Sequence, residues 1–160
     1  MTNVTHLECS LTGERYEAGR IHNLSRAGKP LLVRYDLDAA KRTLTRDSLA
    51  AREPGMWKWR ELLPHDGEPV SLGEPETPIV ALPRTGGANL LVKDEGRLPT
   101  GSFKARGLAM AVTMAKQLGI ERIAMPTNGN AGAALAAYGA RAGIETIVIC
   151  PAETPEINVT

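Results

Sequence analysis

The chain has 160 residues, enough for one domain that buries roughly 70% of the surface its unfolded form exposes. Its residues are 42% hydrophobic and 23% charged, and its formal net charge is +1, which are ordinary values for a globular protein. A nearly neutral charge argues against nucleic-acid and membrane-surface binding, and no apolar run approaches the ~20 residues of a membrane-spanning helix.

The N-terminus and the cysteines favour an intracellular protein. Residues Met1 to Leu11 lack the basic start and apolar stretch of a signal peptide, so we expect a cytoplasmic location. Cys9 and Cys150 are far apart in the sequence, which argues against a disulfide framework. Cys150 ends a strongly apolar run and is predicted to be a buried thiol.

The first part of the chain is predicted to form one strand and then short helices. The apolar run within Lys29–Asp36 predicts the strand. Trp57 and Trp59 lie two residues apart and cannot share a helical face, so we expect one to pack inward and one to lie at a surface. The helical segments are predicted over Asp38–Leu44, Asp47–Arg52 (capped by Asp47 or Thr45) and Met56–Leu63.

A lysine follows the next predicted strand and turn. Asn89–Val92 is an apolar run typical of a buried strand, and Gly96, Pro99 and Gly101 form the turn after it. Lys104 then lies near the start of a helix that ends at Leu118, where the macrodipole disfavours an ammonium and favours a neutral amine. A neutral amine can form a Schiff base with a carbonyl cofactor. Judged by residue type alone, however, Lys104 is a solvated surface lysine.

The region after this helix has the pattern of a βαβ unit. We predict strands at Arg122–Pro126 and Glu145–Cys150 and a helix between them at Gly129–Ala142. A helix that joins two strands through short turns makes a βαβ unit, so the two strands should be parallel. The helix consists mostly of Ala and Gly, so it can lie close to the sheet.

The loop Thr127–Gly132 connects the first of these strands to the helix. Free backbone N–H groups and the helix dipole at such a position favour an anion, either a carboxylate or a phosphate. The alternative is a plain Asn-Gly turn in which Asn128 or Asn130 caps the helix. The residues by themselves leave both interpretations open.

These two segments resemble motifs of a known family. Asp94-Glu95-Gly96, Pro99–Lys104 and Arg106-Gly107 resemble the cofactor-lysine segment of pyridoxal-phosphate enzymes of the tryptophan-synthase-β type, and within them are most similar to threonine synthases. The resemblance implies that Lys104 bears the cofactor as a Schiff base and that Ser102 and Phe103 lie against it.

The second motif also belongs to this resemblance. Residues 127–130 resemble the Ser/Thr-x-Gly-Asn loop of the same superfamily. This implies that Asn130 hydrogen-bonds the 3′-oxygen of the cofactor. It also implies a substrate-carboxylate site, formed by Thr127, Asn128, Gly129, Asn130 and Ala131. Pro151–Pro155 is a third match in the expected order.

The resemblance also implies the fold, which is α/β with an open parallel sheet, flanking helices and a truncated end. Residues 1–36 would be a degenerate zinc-ribbon-like segment, 37–118 part of a large pyridoxal-phosphate domain, and 119–160 the opening βαβ unit of a small domain. The Pro- and Gly-rich residues 64–88 could be a linker, but Thr77–Pro83 resembles the strand that leads into the lysine segment, so we expect them to be ordered.

The ribbon-like segment is expected to hold no metal. Threonine synthases of one group have two Cys-x2-Cys pairs at the corresponding positions, whereas this chain has Thr12 and Ser25 at the second position of each pair. Only Cys9 and His22 could bind zinc, and a structural site takes four ligands. The alternative is that Cys9 and His22 are unrelated loop residues.

The chain also departs from the family pattern. Leu98 stands where relatives often have Asn, and Ala105 where they often have Asp. The Gly-rich loop that holds the cofactor phosphate in the superfamily has no counterpart here. We therefore expect an N-terminal piece that holds the cofactor weakly.

The function implied by the resemblance is conversion of O-phospho-L-homoserine and water to L-threonine and phosphate. The cofactor would stabilise a carbanion, and Lys104, once freed by the substrate amine, would shuttle protons. The expected partners are an amino-acid substrate and a second copy of the chain, with no nucleic acid and no membrane.

The sequence also allows two other functions. One is a serine or threonine ammonia-lyase, which shares both motifs. The other is a truncated paralogue with only a binding or structural role, which predicts exposed apolar surface on the unfinished sheet.

Overall fold

The computed structural model describes residues 2–83 and 90–156, which form a mixed α/β structure. Its elements in chain order are β1 (Val4–Cys9), β2 (Arg15–Tyr16), β3 (Leu31–Tyr35), α1 (Leu37–Thr43), α2 (Arg46–Ala50), a 3₁₀ helix (Met56–Leu62), β4 (Ile79–Ala81), β5 (Leu91–Lys93), a 3₁₀ turn (Glu95–Arg97), α3 (Lys104–Gln117), β6 (Arg122–Pro126), α4 (Asn130–Ala142) and β7 (Glu145–Ile149). Within these ranges no helix has both the length and the apolar character needed to cross a membrane.

The N-terminal sheet is antiparallel, with strand order β2-β1-β3. The thiol of Cys9 is buried and donates to Ser25 Oγ at 3.0 Å, and the backbone N–H of Thr12 donates to the same sulfur at 3.4 Å. His22 lies elsewhere, half-buried, in an edge-to-face contact with the Tyr16 ring. The two turns of the ribbon-like segment therefore meet through Cys9 and Ser25 and not through Cys9 and His22. No cluster of three or more metal-ligating side chains occurs in the described residues.

The helices of the first half begin at side-chain caps. Asp36 accepts from the backbone N–H of Ala39 at the start of α1, and Thr45 forms a capping box with Ser48 at the start of α2. Of the two predicted caps for the second helix, Thr45 is the one used. The prediction for the tryptophans is also confirmed, because Trp57 is half-buried and Trp59 is 40% exposed.

Strands β4 and β5 pair antiparallel, with Val80 opposite Val92. The expectation of a buried strand over Asn89–Val92 is wrong in this structure, because Leu91 is 61% exposed. Among the described residues β5 pairs only with β4, and such a two-stranded sheet leaves its apolar side chains uncovered. Asn89 lies outside the described residues.

The βαβ prediction is confirmed, since β6 and β7 pair parallel, from Arg122 opposite Glu145 to Pro126 opposite Ile149. The small residues of α4 do bring it close to the sheet. A Cβ on Gly132 would lie 2.6 Å from Thr127 Cγ2. Cys150 is exposed, contrary to its prediction as a buried thiol, because it follows the exposed end of β7. The exposed residues of that strand include Ile147, Val148 and Ile149, which agrees with the apolar surface expected on this sheet.

The core lies where α3 packs against α4. Most core residues of the two helices have small or medium side chains, and Tyr138 of α4 is the largest fully buried one. Leu98, from the loop that precedes α3, is 3% exposed and packs into the same core. The core residues are Val70, Leu98, Ala105, Ala109, Val112, Ala115, Ala134, Leu135, Tyr138 and Ile144. One core thus anchors the lysine loop and both helices.

Candidate active site

Lys104 is the first residue of α3, as its sequence position predicted. The loop before it turns at Gly101, whose φ of 69° lies in the left-handed region that glycine tolerates best. The backbone N–H of Gly101 donates to the carbonyl of Leu98 at 2.8 Å, and Leu98 is buried in the core. A hydrophobic anchor and a glycine turn therefore position the start of the helix.

Lys104 is half-buried as a residue, and its amine has no acidic partner within the described residues. Its Nζ lies 4.7 Å from the centroid of the Phe103 ring, which is 60% exposed. Ser102 is 8% exposed, and its Oγ has no hydrogen-bond partner in the described part of the chain. The same holds for Thr100 Oγ1. A buried hydroxyl without a partner costs free energy, so such groups beside an amine suit a polar ligand.

An ion pair joins the two ends of the lysine loop. Arg106 Nε donates to Glu95 Oε2 at 2.6 Å, and Arg106 Nη2 donates to Glu95 Oε1 at 2.9 Å. The hydroxyl of Thr77 also donates to Glu95. Hydrogen bonding from Arg106 lowers the pKa of Glu95 to about 2, and that carboxylate in turn raises the pKa of Arg106. Both groups therefore stay charged at neutral pH.

The second predicted site segment leads from β6 into α4. Gly129 occupies the cap position, so neither Asn128 nor Asn130 caps the helix as the alternative interpretation required. The backbone N–H of Gly129 donates to Thr127 Oγ1 at 3.3 Å. Across the described residues, the backbone N–H groups of Asn128, Asn130 and Ala131 have no acceptor. Unpaired N–H groups at a helix N-terminus favour the anion-cradle interpretation.

The predicted site residues form two groups, each at the N-terminus of one of the two packed helices. Ser102, Phe103 and Lys104 lie at the start of α3, and residues 127–131 lie at the start of α4. Within the described residues, no hydrogen bond, ion pair or ring contact joins the groups directly. They are connected through the core between α3 and α4.

Sequence reasoning missed two polar contacts that hold this region together. Glu95 and Arg106 have opposite charges within one motif, so their pairing could have been suspected. For Glu74, no nearby residue of opposite charge in the sequence indicated its partners. Glu74 is 4% exposed and accepts hydrogen bonds from Trp57 Nε1 and Tyr138 Oη, at 2.7 and 2.6 Å.

Comparison with known proteins connects these features to a family. The model of the family described as "Pyridoxal-phosphate dependent enzyme" matches residues 70–160. The chain is 40% identical over 152 residues to a threonine synthase of Methanosarcina acetivorans. The aligned region covers 92% of this chain and 37% of that protein. It is 38% identical over 149 residues to a threonine synthase of Methanocaldococcus jannaschii, with 89% and 37% covered. A threonine synthase of Mycobacterium leprae is 45% identical over 98 residues, with 58% and 27% covered.

The extent of these matches matters for the site. The chain spans 37% of the length of the first two relatives, and the matched region is their N-terminal part. The family match includes both the Lys104 segment and the loop at residues 127–131.

Proposed function

The chain belongs to the family of pyridoxal-phosphate-dependent enzymes, and on that premise we propose that it supplies the lysine side of the active site of a threonine synthase. The reaction would convert O-phospho-L-homoserine and water to L-threonine and phosphate. The observation that carries the proposal is the placement of Lys104 at the start of α3, two residues after the buried Ser102. The described structure shows no acidic partner for the amine and no hydrogen-bond partner for the Ser102 hydroxyl. The relatives reported above are threonine synthases, which favours this reaction over ammonia elimination.

The residues present fit the cofactor. Lys104 offers a primary amine for an aldehyde, and Ser102 offers a hydroxyl that the described structure leaves unsatisfied. Bound pyridoxal phosphate supplies an electron sink for negative charge at the substrate α-carbon. Phe103 gives the amine an apolar neighbour on one side.

Lys104 would also move protons. Its Nζ, when not bonded to the cofactor, would take a proton from one substrate carbon and return it to another. Its half-buried position limits the access of water to that proton.

The loop at residues 127–131 would orient the substrate. The N–H groups of Asn128, Asn130 and Ala131 point to a carboxylate as the group they hold, since they have no acceptor in the described part of the chain. The side chain of Asn130 is exposed and would donate to the 3′-oxygen of the cofactor. The division into a ribbon-like segment (1–36), a large-domain part (37–118) and a small-domain opening (119–160) is part of this proposal, as are a cytoplasmic location and self-association.

Absorption spectroscopy tests the proposal. The chain is mixed with pyridoxal phosphate, and its visible spectrum is compared with those of Lys104→Ala and of Lys116→Ala, a control at an exposed position of the same helix. We expect a protein-specific band in the parent and in Lys116→Ala but not in Lys104→Ala. Borohydride reduction and peptide mapping should then locate the cofactor on Lys104.

Two results would count against the proposal. A band of equal intensity in Lys104→Ala would show that another amine is modified. Release of ammonia from serine or threonine, without release of phosphate from O-phospho-L-homoserine, would show a different reaction.

A further inference from the structure

The segment that ends in Lys104 is closed at its base by one ion pair. Glu95 lies in the 3₁₀ turn after β5, and Arg106 lies in the first turn of α3. Their two parallel contacts, at 2.6 and 2.9 Å, form a bidentate arrangement that fixes direction as well as distance. Residues 96–105 lie between these two anchor points and include Lys104.

Thr77 adds a third chain segment to this contact. Its hydroxyl donates to Glu95 Oε1, and Arg106 Nη2 lies 3.3 Å from Thr77 Oγ1. Thr77 is 5% exposed and comes just before β4. The Arg106 and Glu95 side chains are 27% and 21% exposed, so water competes less for this pair than for an ordinary surface ion pair.

Because Arg106 lies two residues after Lys104 on α3, its ion pair with Glu95 affects the direction of the Lys104 side chain. Residues two apart on an α-helix project about 200° apart around its axis. With the guanidinium of Arg106 held on one side of α3 by Glu95, the side chain of Lys104 is directed to the opposite side. The backbone N–H of Arg106 also donates to the carbonyl of Phe103 at 3.2 Å, which couples the rotation of this turn to the residue before Lys104.

We propose that Glu95 and Arg106 are positioning residues for the Lys104 amine, and that their pairing sets the direction in which it faces. This inference rests on the proposed function of Lys104 as the cofactor lysine. Neither residue needs to touch the cofactor. If the pair opens, the first turn of α3 can rotate and fray, and the amine loses its half-buried position.

A second ion pair in the same chain provides a matched control. Arg52 and Glu61 also form a bidentate pair, with contacts of 2.7 and 2.5 Å and side chains 14% and 8% exposed. It links the turn after α2 to the 3₁₀ helix at Met56–Leu62, in a different part of the chain from Lys104. Loss of either pair should destabilise the protein, but only loss of the Glu95–Arg106 pair should change Lys104.

The first measurement needs no cofactor. The parent, Glu95→Gln, Arg106→Gln, Arg106→Lys, Glu61→Gln and Arg52→Gln are treated with acetic anhydride over a pH series, and acetylation of Lys104 is quantified by mass spectrometry relative to the exposed Lys116. We expect Glu95→Gln and Arg106→Gln to raise the Lys104/Lys116 ratio at least about threefold, as the loss of a charge-assisted contact frees the turn. Arg106→Lys keeps the positive charge but cannot form the bidentate contact, so its Lys104/Lys116 ratio should be intermediate. The two control variants should keep the parent ratio.

The second measurement uses the cofactor. The affinity of each variant for pyridoxal phosphate is taken from the visible band, with circular dichroism and urea unfolding to confirm that each variant is folded. Glu95→Gln and Arg106→Gln should bind about tenfold more weakly, and the control variants should bind as the parent does.

The outcomes separate this inference from the proposed function. If folded Glu95→Gln and folded Arg106→Lys show the same Lys104/Lys116 acetylation ratio as the parent, the positioning role is overturned. It is also overturned if the control variants change this ratio by the same factor. If the parent forms no visible band but the ratio changes as expected, the pair positions Lys104 and the cofactor assignment is what fails. Should Arg106→Gln not fold, Glu95→Gln and Arg106→Lys decide the question.

Discussion

The hydroxyl of Tyr138 donates to Glu74 Oε1 at 2.6 Å, and this contact joins α4 to a chain segment 64 residues earlier. Both side chains are buried, and Glu74 also accepts from Ser71 Oγ and Trp57 Nε1. Burial by itself would raise the pKa of Glu74, but the hydrogen bonds outweigh it, so that the pKa is lowered. Burial, and then the Glu74 contact, raises the pKa of Tyr138. An ionised carboxylate is therefore kept inside the protein, and hydrogen bonds from three side chains stabilise it.

Removal of this hydroxyl should destabilise the fold. Tyr138→Phe leaves a buried carboxylate without one donor, and we expect a loss of about 1–3 kcal/mol in the free energy of unfolding, measured in urea. Tyr16→Phe is the control, since Tyr16 donates to Glu14 at 2.6 Å in a more exposed place. Equal losses in the two variants would show that the burial of Glu74 adds nothing.

Glu61 should make stability depend on acid pH. Hydrogen bonding from Arg52 lowers its pKa to about 2, and its side chain is 8% exposed. Because the folded pKa lies below the unfolded value of about 4.3, this contribution is present in full above the unfolded pKa and is lost as the pH falls towards the folded pKa.

We expect Glu61→Gln to remove about 1–3 kcal/mol of stability at pH 7 and to make the loss of stability between about pH 5 and pH 2 shallower. Urea unfolding across this pH range measures both effects. Glu145→Gln serves as the control, since its partner Arg122 and Glu145 itself are more than half exposed. An unchanged pH profile in Glu61→Gln would contradict the assignment.

Gly139 should not tolerate a side chain. A Cβ there would overlap Thr146 Cγ2 and lie 3.4 Å from the carbonyl oxygen of Ile144, so α4 would have to move away from β7. We expect Gly139→Ala to cost about 1–3 kcal/mol. Gly107→Ala in α3 meets no atom within 4 Å and should stabilise by about 0.5–1 kcal/mol. If thermal unfolding shows Gly139→Ala to be neutral, the helix does not lie as close to the sheet as described.

The Cys9 thiol should titrate near neutral pH. The thiolate form accepts hydrogen bonds from Ser25 and then from Thr12, and these lower the pKa of Cys9 to about 7. In a Cys150→Ala background Cys9 is the one thiol left in the 160-residue sequence, so the ultraviolet absorbance of the thiolate reports it alone. Ser25→Ala should move the midpoint up towards the ordinary value of about 8.5. The same midpoint with and without Ser25 would refute the role of this contact.

Much of the second half of the structure could be predicted from local sequence. The bounds predicted for β6, α4 and β7 agree with the structure to within one residue, and Lys104 does begin a helix. These elements follow from short-range rules: Gly101 permits the turn, small residues permit close packing, and the helical crossover between β6 and β7 makes these strands parallel. The family motifs also lie within these local segments, so both groups of predicted site residues could be named from the sequence alone.

The remaining features depend on residues that are far apart in the sequence. The exposure of β5 and Cys150 depends on which chain segments cover them, and that is not a property of their own apolar runs. The contact of Glu74 with Tyr138 exists because folding brings segments 64 residues apart together, and no local pattern encodes that partner. The opposite charges of Glu95 and Arg106 lie within one motif and suggest a pair, but the bidentate geometry of their contact comes from the fold. Local sequence therefore determined the kinds of element and the reactive groups they carry. The tertiary structure decided which polar groups are buried together, because only a packed core excludes the water that would otherwise satisfy them.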